Sequence, residues 1–448
     1  MLSIRTLLVR CCPVLVCVLL LHGAAHAQTR QQKLLKDKLR FETIGSWFYN
    51  DLEKGFEEAR QQNQPVLVVL RCIPCSECVK LDDDLIEADP KLQKLLESFV
   101  RVRVVAANGL DLSRFQFDTD QSFAVFVCNA DGTLYCRYGT RSDQTEWKDD
   151  VSVAGLYQAL QAALELHRNY PSNQSSLRDK QAKNPLFASP ENIPSLSTRF
   201  KSKIDYEGDT AKSCIHCHMI GDGLISHARN ESGTIPSPLM MPYPHPKTFG
   251  LVLDPTQCAT VKAITENSIA ERSGFRAGDR IVLLEGQPIL SIADVQWVLH
   301  HLPDARNSIQ ATVDRGAQRL EISVEFPDQW RTQEDARWRV SRWQLRQFGF
   351  GGMQLEPASE GQRKEIGIDS GKMALRVEHI GEYAPHDVAK KAGMKKGDII
   401  IAYDERTDFL RETDLLVYAI NTIKIGRSVA VLIRRGGEEK TIQIVTSK

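Results

Sequence analysis

The sequence predicts a multidomain protein in which one α/β domain is followed by mainly-β domains, and three observations support this fold class. The chain has 448 residues, too many for one core, because domains commonly span roughly 100–200 residues. Residues 41–170 alternate short apolar runs with helical patterns, which is typical of α/β domains. Residues 270–281 and 389–400 repeat one motif, with Asp279 and Asp398 separated by 119 positions. Solenoid repeats are shorter, so this spacing indicates two copies of a domain.

The composition excludes several classes of protein. Hydrophobic residues make up 42% and charged residues 25% of the chain, values that are ordinary for globular proteins. Lysine plus arginine equals aspartate plus glutamate, 57 each. Without a basic excess to neutralise phosphates, nucleic-acid binding is not expected. The sequence also lacks a Gly-x-Ser-x-Gly nucleophile motif, so we do not expect a serine protease.

Residues 1–27 have the pattern of a secretory signal peptide. Two arginines precede an apolar run over residues 11–21, and Ala25 and Ala27 supply the small residues of a cleavage site. The run covers about half of the roughly 30 Å hydrocarbon core, so we expect cleavage rather than an uncleaved anchor. The sequence therefore predicts an exported protein, periplasmic or otherwise extracytoplasmic, that would be membrane-associated if the segment were retained.

The α/β pattern begins with an apolar strand over residues 65–70, which leads directly into Cys72, Cys75 and Cys78. A helical pattern follows these cysteines. A thiolate at the start of a helix is stabilised by the helix N–H groups and dipole, which lowers the thiol pKa and makes the sulfur a nucleophile. A second strand over residues 99–106, a hairpin and a closing helix complete the pattern.

This order of strand, cysteine cluster, helix, hairpin and helix resembles the thioredoxin-like fold over residues 42–170. The resemblance assigns the redox pair to Cys75 and Cys78, with Cys72 as an extra thiol that can bond to either. Two positions depart from the family: Phe123 or a neighbour replaces the cis-proline, and a proline replaces the aromatic residue before the pair. A structural disulfide and a metal site are the alternatives to redox activity.

Residues 171–203 are rich in polar residues and proline without periodicity, which predicts a linker. The next segment, residues 204–246, contains Cys214, Cys217 and His218 as a CxxCH motif. This motif is the attachment signature of c-type haem, in which two thiolates form thioethers and the histidine becomes an axial ligand of the haem iron. We therefore expect covalent haem c as the cofactor.

The sixth ligand of such a haem is left open by the sequence. Met240 or Met241 would raise the potential, whereas His227 or His245 would lower it. Zinc is the alternative cofactor, because the two cysteines, His218 and one further histidine could form a tetrahedral site. A plain disulfide is the third interpretation of the motif.

The repeat resembles PDZ domains of the bacterial secreted-protease kind, over residues 247–327 and 345–448, with residues 328–344 as a linker. In that family a loop offers backbone N–H groups to a peptide carboxylate, and the next strand edge accepts the peptide as an added strand. The matching positions are Phe249, Gly250, Leu251 and Val252 in the first copy and Gly352, Met353, Gln354 and Leu355 in the second. Gly351 replaces an apolar residue, so we expect weaker binding by the second copy.

Together these segments resemble a group of exported bacterial proteins, of planctomycete type, that combine a thioredoxin fold with PDZ repeats. We expect an exported thiol-redox and electron-transfer protein, with thiol–disulfide oxidoreductase activity. Its PDZ domains would bind C-terminal or extended peptides of other proteins, and a separate electron-transfer partner would exchange electrons with it. The alternative is a non-enzymatic PDZ scaffold with a redox-inactive thioredoxin fold.

Overall fold

A computed structural model describes most of the chain. The residues it describes are 29–73, 79–80, 82–87, 89–121, 123–142, 149–182, 184–303, 306–334 and 336–446. The predicted signal peptide and the predicted redox pair, Cys75 and Cys78, lie outside these residues. Among the residues described, no helix is both long enough and apolar enough to span a bilayer.

The N-terminal domain is built on a mixed sheet. Its strands are β1 (Phe48–Tyr49), β2 (Val66–Arg71), β3 (Val100–Val104), β4 (Phe123–Cys128) and β5 (Leu134–Tyr138). Their order is β1-β3-β2-β4-β5, in which β3 is parallel to both its neighbours and the remaining pairs are antiparallel. All six residues of β2 are buried, and its apolar side chains enter two clusters in alternation. Such burial is expected of a strand covered on both faces.

Helices flank this sheet, and those longer than four residues are numbered. They are α1 (Arg30–Ile44), α2 (Leu52–Gln62), α3 (Pro90–Leu96), which follows a π-helical turn at Asp83–Glu87, and α4 (Val153–Arg168). Each begins at a polar side chain that accepts a hydrogen bond from a backbone N–H of the first turn: Thr29, Asp51, Asp89 and Ser152. These caps satisfy donors that a helix start leaves unpaired. The α/β character predicted from the sequence is confirmed.

Residues 171–203 differ from the predicted linker, because they pack against the N-terminal domain. They contain short helical turns: Gln174–Leu177, Arg178–Lys180, Pro190–Asn192 and Pro194–Ser197. Ile193, Leu196 and Phe200 recur at helical spacing and are buried in the cluster that covers one face of the sheet. Because these three apolar side chains share one helical face, their burial holds the otherwise polar segment against the sheet.

The segment that contains the CxxCH motif continues this packing. It consists of the turn Thr210–Ser213, the long helix α5 (Cys217–Ser232) and the turn Ser237–Met240. Near its start, α5 buries Cys217 and Ile220 in a cluster of the N-terminal domain. Further along, Ile225 lies in a cluster with the second repeat. Helix α5 therefore contacts both the N-terminal domain and the second repeat.

The first repeat is mainly β. Its elements are a 3-10 turn (Pro246–Phe249), β6 (Leu251–Leu253), β7 (Val261–Ile264), the turn Ile269–Arg272, β8 (Arg280–Leu284), β9 (Gln287–Pro288), α6 (Ile292–His301), β10 (Ser308–Arg315) and β11 (Gln318–Glu325). Strands β11, β10, β8 and β9 form one antiparallel sheet, and β6 pairs with β7 in a second. Both sheets and α6 enclose one hydrophobic cluster.

The second repeat follows the same plan with longer helices. Its elements are α7 (Arg342–Phe350), β12 (Met353–Pro357), α8 (Glu360–Ile366), β13 (Leu375–Ile380), α9 (Val388–Ala392), β14 (Ile399–Tyr403), α10 (Glu412–Thr422), β15 (Ser428–Arg435) and β16 (Glu438–Val445). The strands form one antiparallel sheet in chain order. Strand β12 therefore lies at its edge.

Residues 328–344 also differ from the predicted linker. They contain a 3-10 turn at Trp330–Gln333, and α7 starts inside this range. Arg339 is buried, and its Nη1 lies 2.6 Å from Oδ2 of Asp118 in the N-terminal domain. A second partner is Glu334, 3.0 Å from Nη2. A buried guanidinium needs such paired carboxylates, so the charge cluster fixes this segment against the N-terminal domain.

Candidate functional site

The cysteine cluster and the CxxCH motif, which lie far apart in sequence, meet in the structure. Cys72 directly follows β2 and is half-buried. Its Sγ lies 3.4 Å from Nδ1 of His216, a residue inside the CxxCH motif. The sequence did not single out His216, because its position between the two motif cysteines carries no signal for a contact 144 residues away.

Asn108, in the loop after β3, holds the CxxCH motif in this position. Its Oδ1 accepts a hydrogen bond from the Ile215 N–H at 2.8 Å, and its Nδ2 donates to the Ser213 carbonyl at 3.0 Å. The Ile215 carbonyl accepts from the Ala107 N–H at 2.9 Å. Backbone groups at the start of the motif are thereby satisfied by the N-terminal domain.

The two cysteines of the motif are buried beside Cys72. Cys214 is 2% and Cys217 is 5% exposed. Burial, together with the charge of the nearby Cys72, raises the pKa of Cys214 to about 12 and the pKa of Cys217 well above its ordinary value. Cys72, His216 and Cys217 line one narrow cavity at the end of β2. Two cysteines and one histidine thus border the same cavity.

A buried network of charges fixes the end of β2 beneath Cys72. Arg71 is 1% exposed and pairs with Asp37 of α1 and with Asp82, whose Oδ2 lies 2.8 Å from its Nη1. Arg103 of β3 also pairs with Asp82. Removing one member of such a network leaves an uncompensated buried charge, which is strongly unfavourable. The backbone that carries Cys72 is therefore held rigidly.

An open cavity of about 730 Å³ lies on the other side of His216. It is bounded by the start of α1, by the turn before α5, and by Cys214 and Met219. Burial is the main cause that lowers the pKa of His216, and His218, Arg30 and Arg199 lower it further. These effects favour the neutral form of the imidazole over the protonated one.

The residues predicted to bind a haem differ in their burial. Both cysteines of the motif are buried, and the Cys214 thiol lies 3.7 Å from the Val105 carbonyl. The His218 side chain is 41% exposed, and its Nδ1 lies 3.5 Å from Oδ2 of Asp222. The motif cysteines and the motif histidine thus differ in their exposure.

The candidate sixth ligands have other partners. Met240 and Met241 pack in the cluster of the second repeat, where their sulfur atoms lie 3.6 Å from Asn421 Nδ2 and 3.7 Å from Arg342 Nη1, respectively. These hydrophobic contacts, rather than ligation, account for their burial. The alternative histidines also lie elsewhere: His245 contacts Asp150, and His227 packs on Phe187. Within the described ranges, no three His, Cys, Asp or Glu side chains are grouped to hold a metal ion.

The loop predicted to bind peptides in the first repeat precedes an available strand edge. Gly250 has φ +88°, a conformation that favours glycine. Phe249 is buried against Phe326, with ring centroids 5.4 Å apart, Leu251 is also buried, and Val252 is half-buried. In the described residues β6 pairs only with β7. Its second edge therefore has no strand partner.

The corresponding edge in the second repeat is occupied. The Leu355 N–H of β12 donates to Oε2 of Glu412 at 2.7 Å, and Glu412 also accepts from Arg346 Nη2 at 2.9 Å. Met353 and Leu355 are fully buried, and Gln354 is half-buried. The loop residue Gly352 lies so close to His386 that a Cβ would be 2.0 Å from its carbonyl oxygen. A peptide could add to β12 only after Glu412 moved.

Two family models match parts of this chain. A thioredoxin-like model matches residues 47–130, and a PDZ-domain model matches residues 260–310. The chain therefore contains a thioredoxin-like domain and a PDZ domain, as predicted.

Relatives with known names match only part of the chain. A probable periplasmic serine endoprotease, DegP-like, of Halomonas elongata is 25% identical over 190 residues, which cover 42% of this chain and 37% of that protein. Two solved structures are also similar. The HtrA-type protease AlgW with decapeptide is 13% identical over 31% of this chain and 49% of its own, with a TM-score of 0.20. The HtrA3 PDZ domain bound to the phage-derived ligand FGRWV is 20% identical over 21% of this chain and 82% of its own, with a TM-score of 0.17.

Proposed function

We propose that this chain is an exported thiol-redox protein that recruits partner proteins through the PDZ domain of its first repeat. The observation that supports it most is the 3.4 Å contact between the Cys72 sulfur and the His216 imidazole. A cysteine beside a histidine is an activated nucleophile, because the imidazole accepts the thiol proton. Cys72 lies beyond the carboxyl end of β2, where open α/β sheets commonly place their reactive groups.

The proposed reaction is the reduction or formation of a disulfide in a partner protein. In the reducing direction a thiolate of the cysteine cluster attacks the partner's disulfide, forms a mixed disulfide and releases one partner thiol. A second cysteine of the cluster then attacks the mixed disulfide and releases the other thiol. Cys75 and Cys78 are the predicted exchanging pair, and Cys72 with His216 supplies the third thiol and the proton acceptor.

Recruitment of the partner is assigned to the first repeat. Among the described residues its β6 has one edge without a strand partner, and the loop before β6 turns at Gly250, whose φ is +88°. A C-terminal or extended peptide would add to β6 and place its carboxylate at Phe249 and Gly250. The second repeat, which we also interpret as a PDZ-like domain, has a structural role because Glu412 occupies its edge.

A redox titration of the full chain tests the thiol proposal. The protein is equilibrated in glutathione buffers from about −270 to −120 mV, the range of thioredoxin-type proteins, and its thiols are alkylated and identified by mass spectrometry. We expect one pair within Cys72, Cys75 and Cys78 to titrate reversibly. Cys72→Ser should change that potential, and Cys258→Ser, a half-buried cysteine of the first repeat, should not. If no thiol of the cluster changed its oxidation state across this range, the thiol-redox proposal would be wrong.

A non-enzymatic scaffold is the second candidate function, and one observation favours it. Phe123 lies opposite Arg71 in the β2–β4 register, beside Cys72, at the position where the family resemblance expects a cis-proline. The described part of the chain has its cis peptide bonds elsewhere, before Pro171 and Pro385. The same titration separates the candidates. Haem attachment stays a prediction, which an absorption spectrum of the chain from a host that matures c-type cytochromes would test.

A further inference from the structure

We propose that Cys214 and Cys217 form a second dithiol–disulfide pair, which exchanges electrons with the cysteine cluster through Cys72. The CxxCH motif would then be an internal thiol relay rather than a site of haem attachment. This inference rests on the proposed thiol-redox function and adds a second redox pair to it.

The first support is the convergence of the sulfur atoms. Cys72 and Cys217 border the same narrow cavity, with His216 between them in its wall. Cys214 lies two residues before His216, and the charge of Cys72 acts on the thiols of both motif cysteines. Thiol–disulfide exchange requires this arrangement, since one sulfur must approach another directly.

The second support is the local structure of the motif. Cys214 is extended, with φ −82° and ψ 124°, and Cys217 is the first residue of the sixteen-residue helix α5. Two cysteines spaced in this way at a helix start are the arrangement of redox-active CxxC motifs. Both side chains are buried, and the nearest backbone acceptor of the Cys214 thiol is the Val105 carbonyl.

The third support is the difference in access. Cys214 and Cys217 are 2% and 5% exposed, whereas Cys72 is half-buried. An external disulfide therefore reaches Cys72 more easily than the pair behind it. Electrons that enter or leave the Cys214–Cys217 pair would pass through Cys72, which makes the pair a protected store of two electrons.

The exchange balances without a further reactant. Cys72 is first part of a disulfide with another sulfur, either of the cluster or of a partner protein. The Cys217 thiol gives up its proton as its sulfur attacks Cys72, the old bond breaks, and a Cys72–Cys217 bond forms. Cys214 then attacks Cys217, forms the Cys214–Cys217 disulfide and releases Cys72 as a thiol. Two electrons pass to the original disulfide, and the two protons of the motif thiols end on the two released sulfurs, with His216 beside Cys72 to carry one of them.

A trapping experiment on the full chain tests the relay. Removing the resolving thiol with Cys214→Ser should halt exchange at the mixed disulfide. After reduction, limited treatment with oxidised glutathione and rapid acid quenching, we expect a Cys72–Cys217 cross-linked peptide at least tenfold more abundant than in the unaltered chain. Cys136→Ser, which changes another buried thiol outside the site, should give no increase. Cys214→Ala, checked for its fold by circular dichroism, serves as a second trapping variant.

The outcomes separate the relay from the function on which it rests. If neither trapping variant accumulates the cross-linked peptide while the cluster still titrates, the relay is wrong and the redox proposal stands. If Cys72, Cys75 and Cys78 never oxidise, the proposed function itself fails. Covalent haem on Cys214 and Cys217 of the purified chain would also overturn the relay, because thioether sulfur cannot exchange.

Discussion

An aspartate–arginine pair occurs at the same place in both C-terminal repeats. In the first, Asp279 accepts from Arg315 Nε and Nη2, both at 2.7 Å, and the same Nη2 donates to the Gly274 carbonyl at 2.8 Å. In the second, Asp398 accepts from Arg435 at 2.6 and 2.7 Å, and Nη2 again donates to a glycine carbonyl at 2.8 Å. In each repeat the aspartate lies in the turn before a strand, β8 or β14. The arginine is the last residue of the penultimate strand, β10 or β15.

The edge strands differ although this pair is the same. In the described residues β6 has an edge without a strand partner, whereas the corresponding edge of β12 is covered by Glu412 and Arg346. Helix α7 of the second repeat also packs on α10, with Gly349 at the contact. The repeated Gly-Asp motif therefore identifies the scaffold that the two copies share. The motif does not indicate whether a peptide can pair with the edge strand, β6 or β12.

The largest effect is expected from removing the carboxylate that covers β12. Glu412→Ala leaves the buried Arg346 and the Leu355 N–H without their acceptor, and breaking a buried pair in this way costs about 3–5 kcal/mol. We expect a large loss in the free energy of unfolding of the second repeat, measured by urea denaturation of the full chain. Glu439→Ala removes a half-exposed partner of Arg434 and should cost under about 1 kcal/mol. Equal losses would contradict the buried role of Glu412.

The second-largest loss of stability is expected from overpacking the contact between helices α7 and α10. A Cβ on Gly349 would lie 3.1 Å from Leu416 Cδ2 and 3.5 Å from Ala419 Cβ. Gly349→Val should therefore overpack this contact and cost about 1–3 kcal/mol. Gly361→Val in α8, where the nearest atom lies 3.9 Å away, is the matched control. Thermal unfolding should show a lower midpoint for Gly349→Val than for the control, and the reverse order would refute close packing of the two helices.

A third prediction tests which repeat binds peptide. In Gly250→Val the φ of +88° is strained, and a Cβ would lie 2.1 Å from that of Ser268. The loop must shift, so the affinity for a labelled pentapeptide with a free C-terminal carboxylate, measured by fluorescence anisotropy, should fall at least tenfold. Gly352→Val crowds the second repeat in the same way, but its affinity for the peptide should stay within about twofold of that of the unaltered chain. If only Gly352→Val weakened binding, the assignment of the groove to the first repeat would be wrong.

The sequence predicted those parts of the molecule that depend on local pattern. The apolar run that becomes β2, the helical spacing that becomes α4 and the Gly-Asp motif of each repeat have the structures expected of them. The packing of residues 171–203, which their composition predicts to be a linker, could not be read from composition, since it depends on the buried face that Ile193 and Leu196 share. The His216 contact with Cys72 and the Glu412 cover of β12 could not be predicted, because each depends on chain segments brought together only by folding.

The smallest effect is a pH dependence of the aspartate–arginine pair in the first repeat. Burial alone would raise the pKa of Asp279, but hydrogen bonds from Arg315 and from the Arg276 N–H outweigh it, and the pKa lies below its ordinary value. A carboxylate with a lowered folded-state pKa stabilises the fold above its unfolded-state value of about 3.9 and loses this contribution as the pH falls below it.

The difference in melting temperature between the unaltered chain and Asp279→Asn should therefore be constant from pH 7 to pH 5 and shrink below about pH 4. The matched variant Asp398→Asn, measured across the same range, shows whether the two repeats use the pair alike. A difference for Asp279→Asn that does not change with pH would show that the geometry of the pair, and not its charge, stabilises the first repeat.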